Sequence, residues 1–378
     1  MRILVVTYEL PPVGGGGGQA ALDISRELVK RGHEIHILTA HLRGLSRKEV
    51  IDGIQVVRVP SLRRLPYKAN LLAMSGFVIA GFWAGLNHVK KYPPAIIHVH
   101  FAVPSGPVAW LLFCFMRIPY VLTAHLGDVP EGVPEKTNRW FRWIYPFTPP
   151  IWRDAAQVVA VSEYTRQLAV KHYPVDPQVI PNGVDLSLLD PQEIKVNIPP
   201  QIIFVGRFMH QKNLLQLVRT LSDLKNLDWK CTLVGDGPLY IAIKEEIKNS
   251  GLENRIYLTG WVTPKEVVHH LSKSDILFMP SLSEGLPVIG VQSLAMALAI
   301  VASKVGGFID IVENGKNGFL VDSGDPDGYY MALKEVLTDN LLLKRFRLAS
   351  REKAQEFDIK RVAGAYEELF SSVIHAGD

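Results

Sequence analysis

Short apolar runs separated by charged amphipathic stretches recur along the chain, and their spacing predicts an alternation of strands and helices. Arg2–Tyr8 reads as a strand, and Gln19–Lys30 as a helix with Ala20, Ala21, Ile24 and Leu28 on one face and Asp23, Arg26, Glu27 and Lys30 on the other. Further strands are expected at Glu34–Thr39, Ile54–Val59, Ala95–His100, Tyr120–Thr123 and Gln157–Val161, with helices at Val108–Met116 and Glu163–Lys171. After the proline-bearing stretch Asp190–Pro200 the rhythm restarts. Strands are expected at Ile202–Gly206, Cys231–Gly235, Arg255–Leu258, Ile276–Pro280, Ile300–Ser303 and Phe319–Val321. Apolar runs bounded by helical segments describe strands buried on both faces, so the pattern predicts α/β architecture with two parallel-sheet, Rossmann-like domains of similar size facing one another.

A length of 378 residues accommodates two such domains, and 48% hydrophobic with 21% charged residues is an ordinary globular composition. The charge is uneven: residues 1–190 hold 20 Lys and Arg against 14 Asp and Glu, and residues 191–378 hold 21 against 23. A mildly basic first half suits anionic substrates or lipid headgroups, but no basic aromatic stripe points to nucleic acid. Cys114 and Cys231 have neither disulfide nor metal-ligand spacing, so a reducing cytoplasm fits best. The four apolar residues Ile3–Val6 after Arg2 are too few for a signal peptide.

Two stretches of the first half have more than one reading. Leu71–Leu86 carries no charge and falls short of the ~18–20 apolar residues that span a bilayer. It reads as a buried helix, or more sharply as a monotopic membrane contact beside the basic loop Arg58–Lys68. Trp140–Trp152 reads as a cover or acceptor segment, and Glu131–Trp143 as a loop.

Candidate chemistry collects where strands end. The glycine run Gly14–Gly18 precedes a helix and suits a phosphate, yet the second strand ends on Thr39, Ala40 and His41, without the acidic residue that holds the ribose of a dinucleotide. A nicotinamide cofactor is therefore not expected. His98 and His100 alternate on one strand, but without acidic or cysteine partners they make no metal site. His125, followed by Gly127 and Asp128, stands at a strand's carboxyl end. In the second half Arg207, Lys212 and a helix start together suit a diphosphate. Gly235-Asp236-Gly237-Pro238-Leu239 forms a turn tight enough for a flat base to approach, and Gly306-Gly307 is another turn. Glu284, in a polar loop between a strand and the helix Val288–Ala297, suits a hydroxylated ligand.

The segments GRFMHQKN (206–213), LVGDGPL (233–239), SLSEGLP (281–287) and VGGFIDIVENGKNGFLV (305–321), with TAHLGDV (123–129), VVAVSEYT (158–165), VIPNGVD (179–185) and the opening PPVGGGGGQAALDISRELVKRGHEI, resemble the retaining nucleotide-sugar glycosyltransferases of family four, which have the GT-B fold. The resemblance covers almost the whole chain. It implies an acceptor-binding domain at 1–190, a donor-binding domain at 191–356 and a C-terminal helix at 357–378 returning to the first, with closure over the donor. It also implies that Arg207 and Lys212, beside Gly206, bind the donor diphosphate with the amides of Gly15, Gly16 and Gly17 nearby. Glu284 and the following Gly285, Leu286, Pro287 and Val288 would hold the sugar, His125 with Asp128 would contact it from the other domain, and Gly235, Gly237, Pro238 and Leu239 would line the base. No metal or other cofactor is implied, because cations and helix dipoles would neutralise the leaving diphosphate. The partners would be a nucleotide sugar and a glycosyl acceptor.

Two departures stand out. Leu126 separates His125 from the glycine that usually follows it, and Gln292 replaces a glutamate that normally takes the ribose hydroxyls. A neutral acceptor in place of a charged one weakens ribose binding by about tenfold. Gln292 thus motivates a rival reading, a sugar-nucleotide-binding module with weakened catalysis; a sugar-nucleotide epimerase shares the fold as a third.

Overall fold

The computed structural model describes residues 1–65, 70–133, 142–191 and 193–376. The chain forms two compact units, Met1–Gly183 with Ile359–Asp378, and Val184–Asp358. The boundaries fall at 183/184 and 358/359 rather than at 190/191 and 356/357. Val184 N–H donates to the Phe357 carbonyl at 2.9 Å, which ties residue 184 to the end of the second unit.

In the first unit the strands are β1 (Arg2–Thr7), β2 (Glu34–Leu42), β3 (Lys48–Ile51), β4 (Ile54–Arg63), β5 (Ile96–His100), β6 (Tyr120–Ala124), β7 (Gln157–Ala160) and β8 (Gln178–Val179). They lie in the order β3-β4-β2-β1-β5-β6-β7-β8. All neighbours are parallel except the β3–β4 hairpin. Its turn, Asp52-Gly53, puts both residues at positive φ (50° and 83°), as a two-residue hairpin loop requires. The central β1 sends Ile3 and Val5 into one apolar cluster and Leu4 and Val6 into the other, which is why it reads as a continuous apolar run.

The helix Ile359–His375 covers one face of this sheet. Ile359, Val362, Ala363, Tyr366, Leu369 and Phe370 join the Ile3–Val5 cluster, and Glu367 accepts from Arg31 (3.0 Å) and pairs with His33 (2.8 Å).

Several expectations change here. The stretch from Arg58 is strand up to Arg63, not a basic loop. Arg58 is buried against Glu49 (2.5 Å), and the buried Arg63 guanidinium lies 4.9 Å over the Tyr8 ring and 3.8 Å from Glu9. Residues 66–68 of that stretch, and 134–141 of the Glu131–Trp143 and Trp140–Trp152 segments, lie outside the described residues. The remainder of the latter is core at its end: Trp152 is fully buried and stacks on Tyr173, with ring centroids 4.2 Å apart. Glu131 pairs with Lys171 at 2.7 Å.

The second unit holds β9 (Gln201–Val205), β10 (Lys230–Val234), β11 (Ile256–Gly260), β12 (Ile276–Met279), β13 (Ala299–Ser303) and β14 (Gly318–Val321), all parallel, in the order β11-β10-β9-β12-β13-β14. The chain winds outward from β9 on one side and from β12 on the other. Connections leaving in opposite directions open a crevice at the carboxyl ends of these two strands, the place where ligands bind in doubly wound sheets. Buried Asp275 fixes their relative position: it accepts from the Gln201 backbone N–H at 2.8 Å and pairs with Arg347.

Candidate functional site

Four loops leave the centre of the second sheet side by side, in the strand order β10, β9, β12, β13. The β9 loop runs through Gly206 and Arg207 into a short turn, His210–Lys212, and then the helix Leu214–Asp223. The β12 loop runs from Ser281 to Pro287, which precedes the helix Val288–Ala295. Two hydrogen bonds stitch these loops together, Leu282 N–H to the Gln211 carbonyl and Gln211 Nε2 to the Ser283 carbonyl, both 2.8 Å. Between them Lys212 Nζ donates to Glu284 Oε1 at 2.6 Å, with side chains only 17% and 6% exposed. Arg207 lies half-buried in the same loop.

Glycines on both flanks make this approach feasible. Gly306 has φ +54°, and a Cβ there would stand 1.6 Å from the Glu284 carbonyl oxygen; Gly307 N–H donates to the Gly285 carbonyl at 2.6 Å. Gly306→Ala would therefore push the Glu284 loop outward, at a cost of about 1–3 kcal/mol. The expected result is a lower unfolding temperature and at least about a tenfold loss of donor turnover; a variant with normal turnover would separate the Glu284 loop from function.

On the other flank, Gly235 (φ +137°) would place a Cβ 2.0 Å from the Gly206 carbonyl, and Gly237 one 2.6 Å from the Phe208 carbonyl. These glycines have a structural reason beside the expected one, room for a base. Their smallness is used by the neighbouring backbone, which is further held by Phe208 N–H to the Asp236 carbonyl at 2.9 Å. Pro238 is exposed and Leu239 half-buried on that turn, and Gln292 is half-buried in the helix behind Glu284.

The first unit builds its own edge at β1, β5 and β6. The helix expected from Gln19 begins at Gly16, so Gly16–Gly18 form its first turn. Gly17 sits where a Cβ would meet Phe101 Cζ at 2.6 Å and His125 Cε1 at 3.2 Å. Gly15 N–H donates to Glu9 Oε2 at 3.0 Å, so of the three amides expected for an anion, Gly15 is committed to a carboxylate. Phe101, which nothing in the pattern singled out, stacks on the His125 ring with centroids 4.4 Å apart.

His125 is buried, with Nε2 3.5 Å from His100 Nδ1. Asp128 accepts from the His125 backbone N–H at 2.8 Å and from Val103 N–H at 3.4 Å, and is itself buried. Both bonds are to backbone, so Asp128 fixes the turn that carries His125. His98 donates or accepts with Thr123 Oγ1 (2.9 Å), which pairs with Tyr366 OH (3.0 Å). Burial pushes the imidazoles down, His125 to about 4, His98 to about 3 and His100 well below the ordinary value. All three are neutral at pH 7. Among the described residues no cluster of three or more His, Cys, Asp or Glu side chains could hold a metal ion.

Each edge can therefore do something distinct. The second unit offers a half-buried cation and a buried carboxylate beside a helix start, suited to a ligand carrying both an anion and hydroxyls. The first offers an uncharged imidazole beside a helix N-terminus.

Two α/β units, each built on a largely parallel sheet, are the architecture of the GT-B class of glycosyltransferase. Sucrose-phosphate synthase from Thermosynechococcus elongatus superposes with a TM-score of 0.88 at 20% identity, covering 99% of both chains. Anabaena HepE, solved in complex with UDP-glucose, superposes at 0.76 and 19% identity, covering 98% of this chain and 100% of that one. An uncharacterized glycosyltransferase of Methanocaldococcus jannaschii is 28% identical over 98% of this chain and 99% of its own length. The Glycosyltransferase Family 4 profile matches residues 14–188 and the Glycosyl transferases group 1 profile matches residues 189–353; the chain belongs to this glycosyltransferase family.

Proposed function

We propose that the protein transfers a hexosyl group from a UDP- or GDP-linked sugar to a glycan, lipid-linked or small-molecule acceptor, with retention of anomeric configuration and without a metal, in the cytoplasm. The observation that carries this reading is the Lys212–Glu284 pair, 2.6 Å apart at the switch point of the second sheet. In this reading Lys212 and Arg207 take the diphosphate oxygens, and their charge stabilises the leaving group as the glycosidic bond breaks. The Glu284 carboxylate accepts from sugar hydroxyls, with Gly285, Leu286, Pro287 and Val288 alongside. Neutral His125 can accept or donate one hydrogen bond to the sugar without a charge of its own, and Gly16 and Gly17 amides favour the diphosphate. HepE's complex with UDP-glucose makes UDP the first donor to try.

Gln292 favours one competing reading, a sugar-nucleotide-binding module with weakened catalysis. Release of nucleoside diphosphate from a panel of UDP-, GDP- and ADP-sugars with plausible acceptors separates the two: binding without any release would sink the transferase reading. Gln292→Glu is expected to tighten nucleoside diphosphate binding by about tenfold. Unchanged affinity by calorimetry would place the ribose elsewhere.

A further inference from the structure

The helix Leu71–Lys91 uses only one of its faces to fold. Ala73, Phe77, Gly81, Gly85 and Val89 are buried, and the glycines let it close on the helix Ser105–Met116: a Cβ at Gly81 would stand 3.2 Å from Val108, and one at Gly85 3.0 Å from Leu112. Residue numbers rise together along this contact, so the two helices run parallel and end on the same side.

The outward face should be polar in a helix that meets only water. Instead Ile79 is 64% exposed, Trp83 63% and Leu72 66%. Phe82 bridges Trp83 and Phe115 with ring centroids 5.5 Å apart in each case, and Phe115 on the second helix is 66% exposed. Leu62, also exposed, adjoins at Gly76. The result is one apolar surface across two helices.

Among the described residues its charge is predominantly basic: the nearby acids Glu34 and Asp154 are engaged by Arg2 (2.9 Å) and by the Trp110 indole N–H (2.9 Å). Neither helix contains an Asp or Glu, exposed Lys90, Lys91 and Arg117 stand at the shared carboxyl end, and exposed Arg64 precedes the opposite end. A second copy meeting this surface about a two-fold axis would oppose apolar face to apolar face with an excess of cations on both rims, since the nearby Glu34 is already paired with Arg2. An anionic lipid surface satisfies both features: side chains enter the acyl boundary while the cations meet headgroups. The helix lies along such a surface rather than crossing it, because its inner face is committed to the sheet.

We propose that this face is a peripheral docking surface for an anionic bilayer. The proposal stands apart from the donor chemistry, since none of these residues belongs to either strand-end site. The test uses the full chain with vesicles of equal parts phosphatidylcholine and phosphatidylglycerol, vesicles of phosphatidylcholine alone, and the variants Ile79→Glu and Lys90→Gln/Lys91→Gln. Co-sedimentation with the anionic vesicles is expected, with a blue shift of tryptophan emission. Ile79→Glu should weaken it by roughly tenfold or more, with unaltered melting and donor turnover. Each cation removed should weaken it about fivefold. No binding to anionic vesicles, equal binding to phosphatidylcholine alone, or undiminished binding by Ile79→Glu overturns the proposal. So does a dimer in size exclusion that Ile79→Glu dissolves without any vesicle binding, which would make the face a self-interface.

Discussion

Lys212→Ala is expected to lower the rate of glycosyl transfer by about a hundredfold or more, the scale of losing one charged donor to a developing anion. Two effects add. The leaving diphosphate loses a cation, and Glu284, only 6% exposed and 2.6 Å from that cation, is left as an uncompensated buried carboxylate facing the same ligand. The second effect makes a specific forecast. Lys212→Ala should be worse than Lys212→Ala combined with Glu284→Gln in nucleoside diphosphate affinity, because the double variant removes the stranded charge. Calorimetry of the two variants, with single-turnover rates for the first, checks both. Wild-type rates in Lys212→Ala would remove the diphosphate assignment.

The second large effect is acid destabilisation of the first unit. His98 and His125 are buried neutral, with imidazoles pushed down to about 3 and about 4. A histidine depressed on folding contributes fully while both folded and unfolded chains are neutral. The contribution is lost as pH falls below ~6.5, where only the unfolded chain takes up the proton. By pH 4 each of these two groups would cost about 3 kcal/mol, and buried His100 adds in the same direction. The sum is comparable to the whole stability of an ordinary domain. Urea unfolding from pH 7 to pH 4, followed by tryptophan emission, should show a midpoint that falls steeply below about pH 6.5. His98→Asn should flatten that fall. A flat profile in the parent would mean that the buried row is protonated in the folded state.

Most of the strands were legible because β1, β9 and β12 are buried on both faces and so appear as unbroken apolar runs. The short β3 was not, since Lys48–Ile51 is half-exposed hairpin edge whose structure is set by the Asp52-Gly53 turn. The start of the first helix was hidden because glycine carries no pattern. Gly18 and Gly17 are needed there because a Cβ would meet the Glu9 backbone at 2.8 Å and the Phe101 ring at 2.6 Å, the latter a contact far outside any local window.

At the sites, residue types were readable and commitments were not. Lys212 and Glu284 stood out as charges at strand ends, but their pairing depends on the sheet placing β9 beside β12. Asp128 stood out for the same reason yet bonds the His125 backbone, and Arg63, read within a basic loop, lies buried over Tyr8. Charge marks a candidate; only packing decides which way it faces.

The span of the Lys212–Glu284 contact, 72 residues in sequence, has a consequence for how the protein acquires its activity. Loop closure over that distance is slow to win, so the pair can form only after the middle strands of the second unit have docked. A chain with that sheet half assembled has no Lys212 beside Glu284 and, on the proposed assignment, no donor site. Nucleoside diphosphate would therefore bind the native unit alone and hold it by mass action, making the substrate a folding ligand for the domain that uses it.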